Sequence, residues 1–521
     1  MAGEQPVLLD LEPRQEERAA GDGCHVAEPA KPRFQAIDRE QLSWRMINVE
    51  RLIAEDHPAR AIWDFVGKLD LSSYTSKARS VEGMAGRPLL HPRLLISLWI
   101  YAYSNGVGSA RAIERLCGCD PAYQWLTGTE VVNAHSLSDF RVDHEAELKG
   151  LFVQVLALLS SDGLITLERV MQDGTKIRAS AASDSFRTEK GIQAAIQAAQ
   201  EHVNAVDQTS EEETTRRAIK ANERAQRQRS QRLQSALEEL QKLQKEAKDK
   251  EKVRVSTTDP EARVMKHAEG GFAPSYNVQL NTDAANGVVV AVDVTHAGND
   301  VQQLTSGVDH VEQNLGDKPR QMVADGGYVS RDNIIDMKAR GVDFIGPQCD
   351  DANKGKHLYQ CRGISAEYHN SKFVYEAEGD RYVCPQGRFL PFDSKSDRKS
   401  FVIFRYRAEK ADCQACPAKG QCCPKNQKAG RSINRISEFP EVLEFREKMQ
   451  TEEAREVYRQ RSQVAETPNL WIKAKFKLRQ FSVRGLRKVG MEALWACITY
   501  DIRLWIRLRW RTKMAFAEAM T

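Results

Sequence analysis

The sequence predicts an α/β core with a mixed five-stranded sheet and helices, an all-helical domain before it, and a cysteine-containing insertion. Three observations lead to this prediction. Apolar residues recur at helical spacing from Leu42 to about Leu159. Segments of strand character then alternate with helices as far as residue 347. A stretch rich in Cys, Gly, Pro and Lys follows over residues 348–438, and helical spacing returns over residues 439–513.

The helical N-terminal domain is predicted over residues 41–160. The stretch "HPRLLISLWIYAYSNGVGSARAIERL" indicates two helices joined at Asn105-Gly106. Its apolar run, Leu94–Tyr103, is too short to cross a bilayer and indicates a buried helix. Residues 1–40 are Glu-, Arg-, Gly- and Pro-rich without periodicity and are predicted to be a disordered tail. No signal peptide is recognisable there, which favours a cytoplasmic protein.

Five strands are predicted for the first part of the core, residues 161–347. Ile165–Asp173 is the first, and "SYNVQLNTD" and "GVVVAVDVTH" continue it as an antiparallel meander. A helix precedes each of "RQMVAD" and "VDFIGP", so these strands should join in βαβ fashion. The stretch from about 188 to 254, rich in Gln, Ala, Glu, Arg and Lys, is predicted to be a solvated helical arm or hairpin.

Two aspartates end predicted strands, and a glycine follows each. They are Asp173 and Asp325. If the two strands are adjacent, the carboxylates repel one another unless a divalent cation lies between them. Mg²⁺ takes carboxylate oxygens and keeps positions open for water and phosphate. An aspartate before glycine is also an ordinary turn signal, so this interpretation needs a third acid.

The segment "YRQRSQVAETPNLWIK" supplies that acid, Glu466. Tyr458, Arg461 and approximately Glu466 share one face if the segment is a single helix. Lys473 follows seven residues after Glu466, and a carboxylate flanked by Arg and Lys suits metal binding beside DNA phosphates. Glu492 is a rival for this role, but its apolar neighbours favour a helix-face or core-edge position.

Several stretches together resemble the DDE transposases of bacterial insertion sequences, in the group with a Tyr-x2-Arg…Glu-x6-Lys signature. They extend from about residue 86 to residue 505 and are "GRPLLHPRLLISLWIYAYSNGVGSARAIERL", "QDGTKIRASA", "ADGGYVSRDN", "YRQRSQVAETPNLWIK" and "RGLRKVGMEALWACITYDIRLW". The resemblance implies an RNase H-like core in which Asp173, Asp325 and Glu466 bind two Mg²⁺ ions, with Mn²⁺ as an alternative. One departure lies beside the third acid, where "TPNLW" follows Glu466 and the family tends to have Pro-Phe-Gly.

The resemblance also implies an activity and partners. The activity is cleavage of DNA at terminal inverted repeats and strand transfer to target DNA, by a homodimer or higher homo-oligomer associated with the bacterial nucleoid. A catalytically inactive DNA-binding protein derived from such an enzyme, and a nuclease without joining activity, are the alternatives. The net charge of +4 is small, but Lys473 to Lys513 contains twelve Lys or Arg and two acids. The DNA-binding residues expected are Tyr458, Arg461, Lys473, Lys475 and Arg487.

The eleven cysteines without a secretion signal suggest reduced thiols or metal ligands. In "DCQACPAKGQCCP", Cys413 and Cys416 have the spacing of a zinc half-site, and Cys384 with Cys422 or Cys423 could complete it. We therefore weigh a structural Zn²⁺ held by Cys384, Cys413, Cys416 and Cys422 against reduced cysteines in a small inserted subdomain.

Overall fold

The computed structural model describes residues 46–76, 89–209, 216–247, 249–347, 359, 361–399, 401–423 and 429–512, with the backbone alone described for those that fall within 202–223. The elements below belong to the unit that starts at Asn48. The disordered tail predicted for residues 1–40 lies outside the described residues.

Seven α-helices precede the first strand in the described part of the chain. They are α1 (Pro58–Val66), α2 (Ser72–Thr75), α3 (Pro92–Ser104), α4 (Ala110–Cys119), α5 (Pro121–Thr127), α6 (Ala134–Asp143) and α7 (Glu145–Ser161). Three of them begin at a proline, and the side chain before each proline caps the helix. The apolar run Leu94–Tyr103 lies in α3 and is buried, as predicted, apart from the half-buried Leu94. No helix of the described residues is long and apolar enough to cross a membrane.

The core contains a mixed sheet. The strands and helices of this part of the chain are β1 (Arg169–Arg178), β2 (Phe186–Arg187), α8 (Glu189–Thr209), α9 (Arg216–Glu246), β3 (Val255–Ser256), β4 (Arg263–Lys266), β5 (Phe272–Asp283), β6 (Val289–Thr295), α10 (Gln303–Leu315), β7 (Gln321–Ala324), α11 (Arg331–Ala339) and β8 (Asp343–Ile345). Strand β5 pairs antiparallel with β1, β4 and β6, whereas β1, β7 and β8 pair in parallel. The predicted meander and crossovers are therefore present.

Two details of the sheet differ from the prediction. The sheet has six strands, because β4 adds to β5. Strand β1 also continues to Arg178, so Asp173 lies in its middle and not at its end. The extension follows from the sequence after Gly174, where the β-branched residues Thr175 and Ile177 are buried.

The inserted segment between β1 and β4 is a pair of helices. Helices α8 and α9 pack around Ile192, Ala236, Leu240 and Val255. Strands β2 and β3 pair with each other at the base of the two helices. The hairpin thus has a small core of its own.

The cysteine-rich segment contains regular structure that its composition does not indicate. Its elements are β9 (Val374–Glu376), β10 (Arg381–Val383), β11 (Phe389–Asp397), β12 (Phe401–Arg407), α12 (Lys410–Gln414), α13 (Lys419–Cys422) and β13 (Ser432–Glu438). The five strands form an antiparallel sheet of order β13-β12-β11-β10-β9, and the two short helices lie between β12 and β13 along the chain. The sequence predicts no strands here, and β11 is largely exposed and lacks a clear alternation of apolar residues.

The last helices close the core. They are α14 (Pro440–Lys448), α15 (Glu452–Arg459), α16 (Arg461–Leu470), a π-helical turn (Trp471–Lys475), α17 (Leu486–Trp505) and a second π-helical turn (Ile506–Trp510). Helix α17 is buried along most of its length and packs on α3, α7 and β6. One hydrophobic core therefore includes the N-terminal helices, the mixed sheet and α17.

Candidate active site

Asp173 and Asp325 lie side by side on neighbouring strands. Strands β1 and β7 are parallel, and the last residue pair of their ladder is Gln172 with Ala324, directly before the two aspartates. Asp325 follows β7 as predicted, and its Oδ1 accepts a hydrogen bond of 2.7 Å from the backbone N–H of Gly327. The sheet therefore brings these two predicted residues together.

Asp173 is held by helix α16, which crosses above β1. Arg461 Nη1 lies 3.4 Å from Asp173 Oδ1, and Asn469 Nδ2 donates to Oδ2 at 2.8 Å. Burial raises the pKa of Asp173 to about 6, although the Arg461 charge lowers it. The charges of Asp325 and Glu466 raise the same pKa. The three predicted acids are thus coupled electrostatically.

Glu466 lies on α16 and is exposed. Within the described ranges, no group of three or more His, Cys, Asp or Glu side chains has an arrangement that could hold a metal ion. The chemistry of the donors nevertheless fits a hard divalent cation, because Asp173 and Asp325 are carboxylates on neighbouring strands and burial disfavours the charge of Asp173. Neutralising such a charge is what a bound cation does.

The signature residues divide between two helices. The predicted single helix is interrupted at Gln460, so Tyr458 belongs to α15 and Arg461 begins α16. Their side chains still meet, since the Arg461 guanidinium lies 5.9 Å from the Tyr458 ring centroid. Lys473 lies in the π-helical turn, where burial lowers its pKa while the charges of Glu269 and Asp173 raise it.

Basic side chains gather around His267, and one of them, Lys473, lies near Asp173. We call Lys176, Arg178, His267, Lys473 and Arg479 the basic cluster. Arg178 pairs in register with Ser275, whose hydroxyl lies 2.7 Å from His267 Nε2. The Arg178 backbone N–H donates to the Arg479 carbonyl at 3.2 Å. Burial lowers the pKa of His267, and the charges of Arg178, Lys473 and Lys176 lower it further.

The other expected DNA-binding residues have different surroundings. Lys475 is exposed, and its ammonium lies 3.9 Å from the Trp471 ring centroid. Arg487 binds the N-terminal helices, with Nη2 donating to the Val142 carbonyl at 3.2 Å and Nη1 lying 3.5 Å from Glu145. The contacts of Arg487 are therefore structural ones.

Glu492 is a core residue. It is 1% exposed, accepts hydrogen bonds from the backbone and hydroxyl of Ser482, and lies 3.6 Å from Arg141. These partners bind both oxygens of the Glu492 carboxylate, so Glu492 is not available beside Asp173.

Two residues near the acids were not expected from the sequence. Asn469 lies two turns after Arg461 on the same face of α16, a spacing that could have indicated it. Asp300, in the loop before α10, accepts hydrogen bonds from the side chains of Asn277 and Gln279, each at 2.7 Å. No local pattern in the sequence distinguishes Asp300 from an ordinary residue before a helix.

The cysteines of the insertion share one cavity. Its lining includes Cys384, Cys413, Cys416, Cys422 and Cys423. Backbone N–H groups of Arg388 and Arg431 donate to Cys384 Sγ and Cys413 Sγ, each at 3.3 Å. Burial raises the pKa of the Cys422 thiol to about 12, and neighbouring cysteines contribute to the shift.

Comparison with protein families identifies the class of protein. A family described as a transposase DDE domain matches residues 383–505, and a family described as a transposase domain matches residues 47–143. The first match includes Tyr458, Arg461, Glu466 and Lys473, whereas Asp173 and Asp325 lie outside both. The protein is thus of the transposase class. More particularly, the two matches together indicate an insertion-sequence DDE transposase, which confirms the family that the motifs resemble.

Comparisons with individual proteins add less. No curated protein matches the chain. A cryo-EM structure of the piggyBac transposase synaptic complex with hairpin DNA is similar at 9% identity over 88% of this chain and 73% of that one. The TM-score of 0.28 is too low to support an argument about the fold.

Proposed function

We propose that this transposase cleaves DNA at the terminal inverted repeats of its insertion sequence and joins the freed ends to target DNA. The observation that carries the proposal is the placement of Asp173 and Asp325 on neighbouring parallel strands, with Glu466 on the helix that binds Asp173. The matches to transposase domains indicate that the substrate of this site is DNA.

The fold supports a metal-dependent mechanism. The antiparallel order β6-β5-β1 followed by the parallel strands β7 and β8 is the strand arrangement expected of an RNase H-like core. Asp173, Asp325 and Glu466 would hold two Mg²⁺ ions, or Mn²⁺ in their place. When bound, the ions would activate water and then the 3′-hydroxyl as nucleophiles and stabilise the leaving oxygen.

The surrounding side chains would orient the acids and the DNA. Arg461 and Asn469 fix both oxygens of Asp173 before a cation binds. The Tyr458 ring faces the Arg461 guanidinium and would help to orient it. Lys473 lies close enough to Asp173 for the carboxylate charge to raise the pKa of the lysine. Its ammonium group could therefore bind a phosphate next to the scissile bond.

The basic cluster extends this phosphate-binding surface along β1. None of its Lys or Arg side chains forms an ion pair within the described residues, and their charges lower the pKa of His267. Lys475 is exposed next to the cluster, and the basic segment that begins at Lys473 thus contributes there. The N-terminal helical domain, over residues 41–160, would bind the inverted repeats, and a homodimer or higher homo-oligomer in the cytoplasm would bring two ends together.

A structural zinc ion in the insertion is a separate part of the proposal. The convergence of Cys384, Cys413, Cys416 and Cys422 on one cavity supports it. Two N–H···S hydrogen bonds also place donors on sulfurs that would carry negative charge as zinc ligands. Metal analysis of the purified chain should find about one zinc per chain, and Cys413→Ser should abolish it. A zinc-free wild-type chain that is folded would leave reduced cysteines as the answer.

The direct test is incubation with inverted-repeat DNA and Mg²⁺. We expect cleaved ends and joined products from the wild-type chain, and neither from Asp325→Asn, which should still bind DNA. Cleavage without joined products would make the protein a nuclease. DNA binding without cleavage by the wild-type chain would leave the inactive DNA-binding alternative, and Mg²⁺-dependent cleavage by Asp325→Asn would overturn the assignment of the site.

A further inference from the structure

Asp300 is a fourth acidic residue beside the candidate active site. Neighbouring residues of a strand point to opposite faces of the sheet. Asp173 points towards α16, so Gly174 opens on the opposite face, and there its pairing partner is Gln279. Asp300 occupies that face. Its Oδ1 lies 2.7 Å from the position that a Cβ at Gly174 would take.

The second glycine of the motifs also borders Asp300. A Cβ at Gly327 would lie 2.9 Å from Asp325 Oδ1 and 3.7 Å from Asp300 Oδ2. The two carboxylates therefore flank one point next to the end of β7. The glycines that follow Asp173 and Asp325 in the sequence both leave room for the same acid.

The carboxylate of Asp300 is fixed at one oxygen and not at the other. Asn277 and Gln279, which are 1% and 2% exposed, both donate to Oδ1. Oδ2 accepts no hydrogen bond from the residues that the structure describes, and no Lys, Arg or His among them forms an ion pair with Asp300. The negative charge is thus positioned but not compensated.

A buried tyrosine links Asp300 to the two catalytic aspartates. The Tyr328 hydroxyl donates to Gln279 Oε1, the amide that also binds Asp300. Burial raises the pKa of Tyr328, and the charge of Asp300 raises it further. The charges of Asp173 and Asp325 act on the same hydroxyl. The charges of three carboxylates therefore act on one buried side chain.

We propose that Asp300 is a positioning residue of the candidate active site, whose charge strengthens divalent-cation binding at Asp173 and Asp325. This inference rests on the proposed function. Asp300 fixes the Gln279–Tyr328 pair beneath Gly174, and its free oxygen adds negative charge on the side of the sheet opposite α16. Residues that support metal ligands in this way typically change metal affinity by about 10- to 100-fold.

The test compares Asp300→Asn with Asp317→Asn. An asparagine at 300 keeps the shape and an acceptor for Asn277 and Gln279 but removes the charge. Asp317 is an exposed acid just after α10 and serves as the control. We expect Asp300→Asn to bind Mn²⁺ about tenfold more weakly in a titration followed by electron paramagnetic resonance. Its cleavage should recover as Mg²⁺ is raised, with the unfolding temperature unchanged.

Three outcomes have distinct meanings. Equal Mn²⁺ affinity in wild type and Asp300→Asn overturns the role of Asp300. Cleavage that is lost at every Mg²⁺ concentration, together with a lower unfolding temperature, assigns Asp300 a purely structural role and also overturns it. A wild-type chain that neither binds Mn²⁺ nor cleaves DNA refutes the proposed function instead.

A measurement on the wild-type chain avoids dependence on the variant's folding. Fe²⁺ bound in place of Mg²⁺ and supplied with ascorbate and peroxide generates hydroxyl radicals that cut the backbone nearby. We expect cuts around residue 300 as well as around residues 173 and 325. Cuts at the latter two positions alone would place Asp300 outside the reach of the ion and overturn the inference.

Discussion

Gly174 sets how closely the face behind Asp173 can pack. A Cβ there would lie 2.6 Å from Gln279 Nε2, 2.7 Å from Asp300 Oδ1 and 3.0 Å from the Tyr328 hydroxyl. Three polar atoms thus converge on a position where any side chain would displace them. The Asp-Gly sequence combines an acid on one face of the strand with free space on the other.

Gly174→Ala should therefore destabilise the protein by about 1–3 kcal/mol, as overpacking of a filled interior does. Cleavage should fall with it, because the displaced residues adjoin Asp173. Gly118→Ala is the matched control, since a Cβ at Gly118 in α4 meets no atom within 4 Å. Thermal unfolding measures both. Equal stability of Gly174→Ala and wild type would contradict the close packing.

The pKa of Asp173 gives a second expectation at this scale. Burial raises it from 3.8 to about 6 in the folded chain. Between these values the folded chain binds more protons than the unfolded chain, so metal-free stability should fall as the pH rises from about 4 through 6. A divalent cation should reverse the trend, because it binds the charged form. Metal affinity should accordingly increase with pH up to and beyond about 6.

Thermal unfolding of wild type and Asp173→Asn at several pH values, without metal, measures this contribution. The stability difference between the two should change across the interval, since the amide does not titrate. A constant difference from about pH 4 to 7 would show that the pKa of Asp173 is not raised.

The elements show what the sequence could predict. Strong periodicity located α3 and the strands β5 to β8, because burial on one or both faces dictates those patterns. It did not locate the sheet of the insertion, whose strand β11 is almost wholly exposed. Asn469 and Asp300 were missed for another reason. Their importance arises only when α16 and the loop before α10 lie against β1, and such packing leaves no local pattern.

The α8–α9 hairpin is expected to be separable from the core. It packs on its own cluster, and the strands at its base pair with each other, so their ends are close in space. Replacing residues 190–252 by a short glycine-rich linker should leave the remaining chain folded. Circular dichroism and thermal unfolding test this.

Within the described part of the hairpin, an ion pair between Glu239 and Arg263 joins it to the core. Glu239→Gln in the full chain is the control, because it removes that pair and keeps the helices. A shortened chain that fails to fold, beside a stable Glu239→Gln variant, would show that the hairpin is an integral part of the core.

At the scale of the whole molecule, the pair of Glu492 and Arg141 connects α17 to the N-terminal helices. Arg141 in α6 also donates to the Gly108 carbonyl at 2.9 Å and lies over the Trp99 ring. Both charged side chains are almost fully buried, because the exposed fraction of the side chain alone is 7% for Arg141 and 2% for Glu492. Removing one partner would leave the other buried without compensation.

Glu492→Ala should therefore lower the free energy of unfolding by about 3–5 kcal/mol. Glu444→Ala, which removes the exposed pair with Lys338, should cost about 0–1 kcal/mol. Chemical denaturation measures both. A similar small loss in the two variants would mean that the buried pair does not hold the helical region to α17.

Helix α17 is the last α-helix along the described part of the chain, and it is buried along most of its length. The N-terminal helices and β6 pack against it, so their shared core is incomplete while the ribosome is still translating the segment before Leu486. A copy of the gene with a premature stop or frameshift upstream of this helix would therefore yield no stable DNA-binding fragment.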